Sequence, residues 1–139
     1  MTDVPLIECE VTFLSADEGG RATGMPSLSS GSYWPLMVIG DPNQRKAIIT
    51  GAMLPVEYAD GTKGEEWSDN YCPEEHIGVR FEYGPHEAAI GKPFVTTLSV
   101  PFWSDTPLFR KINPEATFTL REGHRIVGFG KVIRWVSQP

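Results

Sequence analysis

Cys72, Glu74, Glu75, His76 and His86 are the side chains of this sequence whose types best suit metal binding or covalent catalysis. Thiolates, imidazoles and carboxylates are the usual zinc ligands, and a thiol beside an imidazole is a common activated nucleophile. Their spacing, Cys-x3-His-x9-His, follows no standard zinc pattern. In a polar stretch such groups read as solvated, so neither a metal nor a cofactor is expected. Cys9 alternates with Ile7, Val11 and Phe13 and reads as a small core residue. Gly128-Phe129-Gly130 is a fragment of a glycine-rich pattern, but no helix follows it to receive a dinucleotide. Nothing matches GxxxxGK[ST], so neither binding nor hydrolysis of GTP is expected. The chemistry expected is therefore recognition rather than catalysis.

The charge pattern shows where recognition would take place. Residues 55–76 carry Glu57, Asp60, Glu65, Glu66, Asp69, Glu74 and Glu75 against Lys63 alone, and so hold the whole net charge of −6. Tyr58, Trp67 and Tyr71 lie in the same stretch. Exposed aromatic anchors with a charged surround are the usual make-up of a protein-recognition element. The candidate partner-binding residues are thus Tyr58, Glu65, Glu66, Trp67, Asp69 and Tyr71, with Trp67 and Tyr71 as anchors and the carboxylates steering encounter. The same aromatics have a second reading, as a cover folded back over one end of the core. Residues 110–134 run the other way, with Arg110, Lys111, Arg121, Arg125, Lys131 and Arg134 facing only Glu115 and Glu122.

The elements that must position these groups alternate with a period of two. Ile7 to Phe13, Pro35 to Ile39, Ala47 to Leu54, Ile77 to Tyr83, Phe94 to Val100, Ala116 to Leu120 and Ile126 to Trp135 each read as a strand. Gly51 marks a bulge or a close approach, and Gly128 and Gly130, two apart on one face, let the strand bend sharply or another backbone come near, which suits barrel closure. Gly123 suits the tight turn of a C-terminal hairpin. Thr106–Asn113 has room for one short helical turn. The stretch 55–76 has no strand pattern and is expected to be a long acidic loop or insertion. Six or seven short strands argue an all-β barrel or sandwich in a single domain, 1–139.

Composition agrees with that class. There are 14 Gly and 12 Pro, spread as punctuation, and 40% apolar residues, enough for a core. No apolar run is long enough to span a bilayer, no secretory leader is visible, and two cysteines make no disulfide framework. The expectation is a cytoplasmic chain with free thiols and no membrane contact.

Two segments carry a resemblance. Leu14-Ser15-Ala16-Asp17-Glu18-Gly19-Gly20-Arg21 resembles the start of the third, C-terminal domain of elongation factor Tu, where a strand ending in Leu-Ser runs into Glu-Gly-Gly-Arg. Phe118-Thr119-Leu120-Arg121-Glu122-Gly123-His124-Arg125-Ile126-Val127-Gly128-Phe129-Gly130 resembles the final hairpin of the same domain. His124 stands where that family has glycine, Ile126 where it has threonine, and Phe129 where it has a small residue. The resemblance implies a closed six-stranded antiparallel β-barrel, here with the acidic segment as an insertion. These residues contain no counterpart of the GTPase domain or the second barrel, so no GTP hydrolysis is implied. It implies a non-catalytic module for protein–protein interaction, tied to translation factors or to an immunity or decoy role. In the family the turn matching Gly123-His124-Arg125 touches the backbone of aminoacyl-tRNA. The alternative is therefore an RNA or tRNA contact at Arg121, Gly123, His124 and Arg125, weak because one or two neutralised phosphates give little affinity. Local pairing of Arg21 and Arg125 with Glu18 or Glu122 is the competing role for those arginines.

Overall fold

A computed structural model of the chain describes residues 4–21, 26–85 and 88–139. His86 lies outside the described residues. The described residues form strands β1 (Leu6–Phe13), β2 (Leu36–Ile39), β3 (Thr50–Glu57), β4 (Lys63–Tyr71), β5 (Ile77–Gly78), β6 (Arg80–Tyr83), β7 (Phe94–Ser99), β8 (Thr117–Glu122) and β9 (Arg125–Ser137), all but β4 from segments with the expected alternation or apolar runs. Single 3-10 turns occur at Ala16–Glu18 and Phe109–Lys111, and the described residues contain no α-helix. None of the described residues forms a helix long and apolar enough to cross a membrane.

Seven strands make one antiparallel sheet in the order β5-β2-β8-β9-β1-β7-β6. It curls into a half-barrel because one face of each strand is apolar and must turn inward. On β1 the inward row is Ile7, Cys9, Val11 and Phe13, all buried, while Glu10 between them is exposed. Phe13 lies at the centre of an aromatic cluster, within about 6 Å, centroid to centroid, of Tyr33, Phe81 and Phe94. Val79 alone separates β5 from β6. The N–H groups of Val79 and Phe81 donate to the carbonyls of Pro35 and Tyr33, each at 3.1 Å. The segment preceding β2 therefore pairs with the β5–β6 stretch beyond the limits of either short strand.

The long strand β9 passes close to β1 where its glycines fall. A Cβ on Gly130 would sit 2.3 Å from the Glu10 carbonyl oxygen and 2.7 Å from the Phe118 ring. One on Gly128 would sit 2.8 Å from the Thr12 carbonyl oxygen. The two segments that carried the resemblance meet at this side of the sheet. Leu14 N–H donates to Val127 O at 2.8 Å, Arg21 pairs with Glu122, and Arg125 Nη1 donates to Gly20 O at 3.3 Å.

One expectation is corrected. The stretch 55–76 is not an irregular loop: β3 and β4 form a separate two-stranded antiparallel ribbon. The sequence hides β4 because Lys-Gly-Glu-Glu-Trp-Ser-Asp-Asn-Tyr has water on both sides, and a strand with two wet faces shows no apolar alternation.

The Gly130 contact makes a prediction. Gly130→Ala should lower unfolding free energy by about 1–3 kcal/mol, since backbone and a packed ring must both give way. Urea denaturation should show this as a lower midpoint with an unchanged slope.

Candidate functional site: an acidic hairpin anchored on a buried ion pair

The hairpin is built around three residues of turn, Ala59, Asp60 and Gly61. Tyr58 O accepts from Gly61 N–H at 2.9 Å, Tyr58 N–H donates to Thr62 O at 2.8 Å, and Gly61 has φ +86°. This is the common three-residue hairpin connection, with glycine in the left-handed position. Asp60 Oδ1 accepts from the hydroxyl of Thr62 at 2.6 Å and from its N–H at 3.0 Å, which holds the Asp60 carboxyl below its ordinary range. The Asp60-Gly61 pair is the one sequence signal that could have found this turn, and it was missed.

Cross-strand pairing then sorts the side chains. Met53 faces Trp67, Pro55 faces Glu65 and Glu57 faces Lys63 on one face. Ala52 with Ser68, Leu54 with Glu66, and Val56 with Gly64 share the other. The indole of Trp67 donates from Nε1 to Asp69 Oδ1 at 2.6 Å and lies against Gly51, where a Cβ would fall 2.0 Å from the ring. The Tyr58 ring likewise lies over Gly64, at 2.8 Å from a virtual Cβ. Ring-on-glycine contacts of this kind stiffen a ribbon that has no core beneath it. Gly51 also sits opposite the register shift between Thr50 and Ala52.

Despite these contacts the aromatics remain in water. Trp67 is 61% exposed, Met53 53%, Tyr58 43% and Tyr71 38%. They do not cover an end of the sheet. All six residues of the sequence-predicted partner site stand on the hairpin, and Glu65, Trp67 and Asp69 share one face with Met53. Met53, Ile48 and Ile49 were missed. Their apolar run reads as a core strand, yet all three are exposed.

The base of the hairpin is held by one carboxylate. Arg121 has no exposed surface and grips Glu74 with both terminal nitrogens, Nη1 to Oε1 at 2.7 Å and Nη2 to Oε2 at 2.9 Å. Its Nε donates to Thr119 Oγ1 at 3.2 Å. Glu74 also accepts the Ile48 N–H at 2.7 Å and the Gln44 amide at 3.0 Å. The chain thus leaves the sheet before β3 and returns after β4 at one carboxylate. Hydrogen bonds from Arg121, and then from Ile48 and Gln44, outweigh burial and depress the Glu74 carboxyl to about 2.

This network removes Arg121 from the candidate RNA surface: a buried guanidinium committed to Glu74 offers nothing to a phosphate. Gly123 (φ +63°) and His124 form the exposed turn between β8 and β9, and Arg125, also exposed, donates to the Gly20 carbonyl. Arg21 pairs with Glu122, which also accepts the Tyr33 hydroxyl at 2.6 Å. Burial, reinforced by Glu122, pushes the Tyr33 phenol up.

Of the other reactive groups, Cys9 stands apart in the core while Cys72 and His76 flank the Glu74–Arg121 pair. Cys9 is buried, which pushes its thiol up and keeps it protonated at neutral pH. Cys72 lies 3.8 Å from Glu74 Oε1. The His76 imidazolium is disfavoured by burial and then by Arg121, and among the described residues its buried Nε2 has no hydrogen-bond partner. Among the described residues no cluster of three or more His, Cys, Asp or Glu side chains has the placement to hold a metal ion. A scan against protein-family models and a search of curated proteins find no match to this chain.

Glu74→Gln should destabilise the fold by about 3–5 kcal/mol at neutral pH, because Arg121 is left charged, buried and unpaired. Replacing Glu74 and Arg121 together by leucine should recover part of that loss. The folded carboxyl is depressed from 4.5 to about 2, so its contribution is complete above pH 4.5 and is lost as pH falls toward 2. Denaturation midpoints from pH 6 down to 2 should therefore converge for the parent chain and Glu74→Gln.

Proposed function

We propose that this chain is a non-catalytic binding module whose contact surface for a protein partner is the β3–β4 hairpin. One observation carries the reading. An acidic ribbon that pairs with no other strand among the described residues holds Met53 and Trp67 face to face in water and is pinned at its base by a buried ion pair. Ordering such an arm costs conformational entropy that its own wet faces return poorly. Trp and Met are enriched at the centre of protein interfaces, and surrounding charge sets encounter rate more than affinity.

The body of the molecule is proposed to be a closed six-stranded barrel like the third domain of elongation factor Tu. Support comes from the bonds of Val79 and Phe81 to Pro35 and Tyr33, which continue the β2–β5 register across to β6. It comes also from the meeting of the two resembling segments through Arg21–Glu122 and Arg125–Gly20. On this reading the partner belongs to the translation-factor machinery, or to a toxin that engages it, and the module serves as a decoy or immunity protein.

Affinity capture with the intact chain, followed by mass spectrometry, identifies the partner. Trp67→Ala should weaken the recovered complex by about 2 kcal/mol, roughly thirtyfold, with the melting temperature nearly unchanged. Neutralising Glu65, Glu66 and Asp69 together should slow association and flatten its salt dependence. Unaltered binding in both variants would move the site off the hairpin.

A further inference from the structure

We propose that the partner binds by strand addition: an extended, Lys/Arg-containing protein segment pairs with the outer edge of β4 as a third strand of the ribbon. The inference rests on the hairpin reading above and specifies its mode and the chemistry of its ligand. The bond between Tyr58 N–H and Thr62 O sets the phase of the ladder. In an antiparallel pair, residues alternate between bonding their partner and pointing their N–H and C=O away from it. With the register fixed, the outward groups belong to Met53, Pro55 and Glu57 on β3 and to Lys63, Glu65 and Trp67 on β4.

The two edges are not equivalent. Pro55 occupies an outward position on β3, where its missing N–H leaves the hairpin's own bonds intact and blunts that edge. On β4 every outward residue keeps its donor and acceptor. Among the described residues no main-chain bond occupies those of Glu65 or Trp67. The side chains bordering this edge choose the occupant. Glu65, Trp67 and Asp69 stand on one face and Glu66 on the other, so a basic residue on either face of an added strand meets a carboxylate. Trp67 is held by Asp69 with its ring exposed, a fitting platform for a guanidinium. A second copy of β4 would set Glu65, Glu66 and Asp69 against themselves, which is repulsive. Main-chain bonds supply affinity in this mode, and alternate side chains supply specificity.

The test is selection of peptides from a random twelve-residue display library on the intact chain, at low and at physiological salt. Recovered peptides should be rich in Lys and Arg. The amide resonances of Glu65 and Trp67 should be the ones they shift most. Synthetic versions N-methylated at alternate residues should lose at least about tenfold in affinity, in one methylation phase only. Glu65→Pro, which removes the outward N–H, should weaken binding about tenfold more than Glu65→Gln, which removes the charge alone. If Glu65→Pro disturbs the hairpin resonances, peptide methylation decides alone, since it alters only the ligand. Failure to select any peptide, selection of acidic ones, or indifference to methylation overturns strand addition. Binding that ignores methylation yet is lost in Trp67→Ala overturns it while leaving the hairpin reading intact. Binding unchanged in Trp67→Ala overturns both.

Discussion

The buried pair between Arg121 and Glu74 is the constraint on which the architecture turns. A guanidinium with no exposed surface needs a carboxylate in bidentate geometry, since either group alone would be left charged without water. Arg121 is fixed by β8, inside the main sheet, whereas Glu74 belongs to the strand-free stretch between β4 and β5. The pair therefore ties the arm to the body. Because Glu74 also takes the Ile48 N–H and the Gln44 amide, both ends of the excursion are gathered at one group.

Most of the main sheet was legible because its strands have one dry face. Ile7, Cys9, Val11 and Phe13 announce β1, and Phe118 and Leu120 announce β8, through the period that burial imposes. The glycines at 128 and 130 were readable for a related reason: two such residues on one face of a long strand suit a sharp bend or a close backbone passage, and the passage is what Glu10 and Thr12 make there. The hairpin was legible only in part. Its charge and aromatics marked the segment as distinct from the core, yet β4 carries no alternation, because neither face had to be dry. Met53 was invisible for the opposite reason, since an apolar residue in an apolar run reads as core.

Arg121 shows a further limit. By sequence it belongs to a basic hairpin beside Arg125, and charge counting groups the two. Strand geometry separates them: Arg121 turns toward Glu74, a residue 47 positions away, while Arg125 stays near the turn and reaches Gly20. Net charge over a window cannot see that one member is already neutralised by a distant partner.

A ribbon of two strands whose rings shield only glycines, joined to a body with a continuous apolar core, is two cooperative units of unequal depth. Amides of β3 and β4 then exchange their hydrogens through a local opening that leaves the sheet intact, while those of β1 and β9 wait for the whole chain to unfold. The arm can melt and re-form many times within the lifetime of the body, so a rigid scaffold carries a ribbon whose order is set locally.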